Sequence, residues 1–151
     1  MLRIALAGVI VSAVLCGCGG SGGSNSKSST STTTAGTSPA FVSTCSQARI
    51  QALGIGLDAG SFSTGHPTNS QENKAASDGD TLSGTLTQLK GETNDPTKQA
   101  KIDQYVAVVG RFTQGVRLYS SGDLQGAVAQ LTGIGTEFGQ MLSGLKSLCG
   151  S

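Results

Sequence analysis

The feature that most constrains the fold is a run of apolar residues in the second half of the chain. Ile102, Tyr105, Val109, Phe112, Val116 and Tyr119 recur at alternating intervals of three and four. Such residues share one side of an α-helix and trace a heptad seam, which Val106 and Val108 widen. A half-buried strand would need strict alternation instead. Asp95-Pro96 marks the start, with aspartate at the N-cap and proline at the first helical position. Gly122 predicts the end of this helix, and Asp123 the cap of the next.

The same period recurs on both sides. A first helix is expected from Thr44, with Gln47 as its capping partner, to about Asp58, presenting Ile50, Leu53 and Leu57. Gly60 to Ser70 reads as a loop containing His66-Pro67. Asn69 and Glu72 offer a second capping box. The second helix runs to about Lys90 and carries Leu82, Leu86 and Leu89, while Ala75 to Asp80 is weakly apolar and expected to fray. A fourth helix carries Leu124, Val128, Leu131, Phe138, Leu142 and Leu145, broadened by Ile134, Met141 and Leu148. Short links between four helices predict an all-α fold, a four-helix up-down-up-down bundle spanning residues 41–151. A segment of this length suffices for one modest core.

Glycine runs against the helical pattern. Sixteen of the 23 glycines fall in residues 41–151, about twice the usual rate. Inside a helix each costs about 1 kcal/mol relative to alanine. Gly135 and Gly139 stand four apart, so the fourth helix is expected to approach a neighbour closely there. With Tyr105, Phe112 and Tyr119 on the seam, they form the candidate lining of a small cavity. Plain core packing is the alternative for the same residues.

The N-terminal segment differs from the rest. Arg3 is the only charge before Ile4 to Leu15, an apolar run shorter than the roughly 20 residues a bilayer requires. A positive start, a short apolar middle and a small-residue end make a secretory-signal layout. The run closes on Leu15-Cys16-Gly17-Cys18. This tetrapeptide resembles the lipobox of bacterial lipoproteins: an aliphatic residue, a tolerant position, a small residue, then the cysteine that is lipidated. The resemblance implies removal of a signal peptide, residues 1–17, and a diacylglycerol thioether on Cys18. Two or more acyl chains hold a protein durably at a membrane. It therefore implies a lipid-anchored protein of the cell membrane, on the extracytoplasmic face. Behind Cys18, residues 19–40 contain twelve Ser or Thr and no large apolar side chain. Residues 18–40 are expected to be a disordered tether with a reach of roughly 26 Å.

The resemblance also sorts the four cysteines. Cys16 leaves with the signal peptide and Cys18 takes the lipid. Cys45 and Cys149 remain, in a compartment where disulfides persist, which implies a Cys45–Cys149 bond. In an up-down-up-down bundle the start of the first helix and the end of the fourth lie at one end, where these two cysteines stand. The tether enters there too, so the opposite end is expected to face away from the membrane.

The remaining residues exclude more chemistry than they suggest. Beyond Arg3 the chain carries nine basic and nine acidic residues with no basic stripe, so nucleic acid is not an expected partner. His66 stands alone in its loop. Two cysteines with one distant histidine give no metal-binding spacing. Asp78-Gly79-Asp80 lacks the further oxygen ligands and closing glutamate of a calcium loop. Glu92, Asn94 and Asp95 read as caps of the third helix. No GxSxG, HExxH, CxxC or phosphate-binding glycine loop occurs, and no acid–base pair is visible. The expectation is a non-enzymatic domain with no cofactor or metal, binding an envelope protein or a cell-wall component. The alternative is a carrier of a small ligand or lipid, with a pocket between helices.

Overall fold

The computed structural model describes residues 38–64 and 67–150, with backbone alone for 60–64. Cys16, Cys18, His66 and the tether as far as residue 37 lie outside the described residues. Five helical segments follow in order: α1 Pro39–Thr64, α2 Asn69–Gly91, α3 Pro96–Ser120, α4 Leu124–Leu131 and α5 Ile134–Leu148. They build a four-helix up-down-up-down bundle in which α4 and α5 are two halves of the fourth helix.

The seam of α3 lies where its spacing places it. Ile102, Val109, Phe112 and Val116 are buried, and Tyr105 and Tyr119 are half-buried. Asp95 Oδ1 accepts from the N–H groups of Thr97 at 2.8 Å and Lys98 at 3.3 Å. This satisfies two donors that a helix start leaves open. Gly122 follows α3 with φ 87°, and Asp123 accepts from the Gly126 N–H at 2.9 Å to cap α4.

In α2, Leu82, Leu86 and Leu89 are buried as expected, but the first half does not fray. Ala75 and Gly79 are buried as well, and the absence of a side chain at Gly79 lets the helix close onto Phe112 and Thr113 of α3. The capping box sits one residue before the expected Asn69–Glu72 pair. Gln71 Oε1 accepts the Thr68 N–H at 2.8 Å, and the Gln71 N–H donates back to Thr68 Oγ1 at 3.4 Å. Asn69 is already helical, and Glu72 is buried instead.

α1 departs furthest from expectation. It begins at Pro39, not Thr44, and reaches Thr64 rather than Asp58. Ser38 Oγ accepts the Phe41 N–H at 3.1 Å, ahead of a proline in the first position, the same device that starts α3. Pro39 and Ala40, expected in the tether, are therefore helical. Thr44 is interior to the helix and donates its hydroxyl to Glu92 Oε1 of the α2 C-cap at 2.9 Å. The inward face is Phe41, Cys45, Ala48, Ala52 and Ile55. Ile50, Leu53 and Leu57 lie outside it, at 68%, 54% and 81% exposure.

The fourth helix is interrupted. Gly133 takes φ 77°, a left-handed conformation that glycine adopts without penalty. Arg111 of α3 stitches the break. Its Nη1 meets both carboxylate oxygens of Glu137 at 2.8 Å, and its Nη2 donates to the carbonyls of Gln130 at 3.3 Å and Thr132 at 3.4 Å. Carbonyls that the end of α4 leaves without helical donors thus face a guanidinium. The break lets α4 lean on α3 while α5 returns to α1, and no described residue of α4 comes within 8 Å of α1 by Cα separation. Gly115 permits the α3–α4 approach, since a Cβ there would sit 2.7 Å from Leu131 Cδ2.

Cys45 and Cys149 are bonded, with Cα atoms 5.8 Å apart, inside the usual disulfide range. The bond ties the first turns of α1 to the end of α5. Closing a loop of this size restricts the unfolded chain by about 4.7 kcal/mol in the entropic account.

Candidate interaction surfaces

The disulfide also sets the rotation of α1 about its axis. With Cys45 turned to Cys149, Val42, Leu53, Leu57 and Ile50 lie roughly 60°, 80°, 120° and 140° round the helix from it. All four point away from the core. They occupy an arc of roughly 80° and extend over roughly 22 Å of axis. Val42 is 48% exposed, and the only polar side chain on the arc is Ser46. No acidic residue occurs between Pro39 and Leu57, and the one cation, Arg49, stands at the edge of the arc. A helix with two apolar faces has spent one on the core and kept one outside.

A smaller patch lies on α4. Ala127 faces inward, while Leu124 and Val128 are exposed. They stand four apart on one helical face, at the end of the bundle remote from the disulfide.

The five residues expected to line a cavity are not brought together. Phe112 is core, edge-on to Phe138 with ring centroids 5.4 Å apart and planes at 68°. Tyr105 lines an open depression of about 300 Å³ with Gln104, Val108, Glu137, Gln140 and Met141. Burial pushes its phenol up from the ordinary value of 10.0. Tyr119 is half-buried at the far end of α3, outside that depression. Gly135 and Gly139 are exposed, and a Cβ at either would meet nothing within 4 Å. The reason is the rotation of α5, which turns Ile134, Phe138, Met141, Leu145 and Leu148 inward and leaves Gly135 and Gly139 outside. The close approach expected at those glycines occurs at Gly144, where a Cβ would collide with the Tyr105 hydroxyl.

The acidic pair Asp78 and Asp80 diverges. Asp78 pairs with Lys74 at 2.5 Å and Asp80 with Arg117 at 2.6 Å. Lys74 also holds Asp58 at 2.8 Å, and these two hydrogen bonds push its ammonium pKa up. Such exposed pairs contribute little stability. Among the described residues no three His, Cys, Asp or Glu side chains are placed to hold a metal ion. Asp95 caps α3, but Glu92 does not. It ends α2, and its Oε1 accepts from Thr44 and from Gln88 Nε2, each at 2.9 Å. Its Oε2 and Gln51 Oε1 are buried without a hydrogen-bond partner. Gln51, Gly54, Asp78 and Thr81 line a second open depression, of about 160 Å³, between α1 and α2.

No helix among the described residues is long and apolar enough to cross a membrane. Comparison with protein-family models, with curated proteins and with solved structures finds no match for this chain. The outer face of α1 was missed by sequence reasoning, which assigned its residues by period alone. The signal that locates it is Cys45, because a disulfide partner must face inward.

Proposed function

We propose that the chain is a lipid-anchored protein of the cell envelope whose helical bundle is a non-enzymatic interaction module. In this reading residues 1–17 are a cleaved signal peptide, Cys18 carries the lipid, and the bundle binds a protein or cell-wall component on the extracytoplasmic side. One observation carries it. The bundle closes its own core and, among the described residues, still exposes six large apolar side chains, Val42, Ile50, Leu53, Leu57, Leu124 and Val128. They are grouped on α1 and α4, and grouped exposed apolar residues mark interaction surfaces more than scattered ones do. The Cys45–Cys149 bond supports an oxidising compartment.

Chemical crosslinking in intact envelopes, followed by detergent extraction and mass spectrometry, tests the reading. A partner joined reproducibly to α4, and lost in Leu124→Ser/Val128→Ser, is the expected result. A protein that stays monomeric and unlinked in its native envelope refutes it.

A further inference from the structure

We infer that the outer face of α1 is a lipid-bilayer docking face, so that the bundle lies on its side on the membrane that anchors it. The inference rests on the lipid-anchor reading of Cys18 and adds a contact that the anchor alone does not require. Three observations lead to it. First, the chain from the proposed anchor reaches Ser38, immediately before α1. The α1 face is thus the large apolar surface nearest the proposed anchor along the chain. A face joined covalently to an anchor meets the bilayer at a raised effective concentration, so even a weakly binding face is engaged. Second, the arc presents Val42, Ile50, Leu53 and Leu57 in a line along the helix, with Ser46 as its only polar member. A shallow line of this kind suits the headgroup–acyl boundary, where amphipathic helices bury their apolar side roughly 5–10 Å deep.

Third, the charge pattern fits an anionic surface. All nine acidic residues lie at Asp58 or beyond, so none on α1 up to Leu57 opposes phosphate. Arg49 borders the arc, where a long side chain extends its guanidinium to the headgroups while its stem stays apolar. Connectivity alone would stand the bundle on its disulfide end. The α1 face instead turns it through a right angle, and leaves the Leu124–Val128 patch of α4 for the protein or cell-wall partner.

The chain contains no tryptophan, so a single introduced indole reports one position. Full-length lipidated Leu53→Trp, and separately Leu57→Trp, would be reconstituted in vesicles of phosphatidylethanolamine and phosphatidylglycerol, three to one, with and without brominated acyl chains. Ala107→Trp, on the exposed side of α3, is the reference. Both α1 variants should show emission shifted to the blue and at least about twofold stronger bromine quenching than the α3 variant, as shallow insertion requires. Equal quenching at all three positions, or none, with the lipid verified by intact mass, overturns face-on docking and leaves the anchor reading standing. A blue shift without quenching that grows with protein concentration overturns it in favour of a second copy on this face. An intact mass without lipid on Cys18 overturns both readings together. Circular dichroism matching the parent chain confirms that each variant is folded.

Discussion

α1 and α3 are the two long helices whose apolar residues the sequence displays most openly, and they end up opposite. The seam of α3 turns inward, four of its residues buried and its two tyrosines half-buried. The trio Ile50, Leu53 and Leu57 of α1, just as regular, turns outward. The core is met instead by Phe41, Cys45, Ala48, Ala52 and Ile55, two of them alanines. Periodicity identifies residues that share a face. It does not say which face is inside when a helix has two. In α3 the far side carries Asp103, Arg111 and Gln114 among small residues, so the larger apolar seam goes inside. In α1 the choice falls to the cysteine.

Four experiments would sharpen or break this contrast. The largest effect is expected on α3. Phe112→Ala removes a buried ring packed on Phe138 and should cost about 3–5 kcal/mol in chemical denaturation. A loss below about 1 kcal/mol would mean that the seam is not the core. Next is the bond that orients α1. Cys45→Ser/Cys149→Ser should lose about 2–5 kcal/mol, and hydrogen exchange should show α1 the least protected helix. Equal protection of α1 and α3 in that variant would show that packing alone holds α1. Third, glycines separate by surroundings. Gly135→Ala, facing open space, should stabilise by up to about 1 kcal/mol, whereas Gly144→Ala, meeting Tyr105, should destabilise. The smallest effect belongs to the outer face of α1. Leu57→Ser should change folding stability by no more than about 0.5 kcal/mol, and a core-sized loss would return this residue to the interior.

The half-buried Tyr105 adds a pH test on the α3 side. Its phenol pKa is raised by burial, so the folded state favours the neutral form. Stability is full below the ordinary value near 10 and falls as pH rises through the higher folded value. Tyr105→Phe should lessen that alkaline loss, measured by denaturation at pH 9 and pH 11.

Much of the fold was legible in the chain. The α3 seam, the three leucines of α2, Asp95-Pro96 and the Gly122-Asp123 turn lie where their local chemistry places them, and Cys45 and Cys149 are bonded as the lipobox resemblance implied. What was not legible has identifiable causes. Thr44 and Gln47 imitate a capping box, and Ser38-Pro39, which does start α1, is hidden at the end of a Ser/Thr tract. The break at Gly133 is one glycine among many, distinguished only by its backbone angle. Arg111, which fastens that break, is 22 residues away in sequence and carries no local sign of the role. At the surface, Gly135 and Gly139 were misread because spacing four apart says nothing about the side of α5 on which they fall.

The Cys45–Cys149 bond makes the bundle a covalent ring with a tail. A pull on the tail at Pro39 reaches Cys45 within six residues and there divides, one share passing along α1 and the other through the sulfurs into α5. Past Cys45, neither helix can be peeled from its end while the other holds. The same ring means that a protease cutting once between α1 and α2 opens the loop without releasing a fragment, so the nicked molecule keeps all its parts and changes mass only by one water.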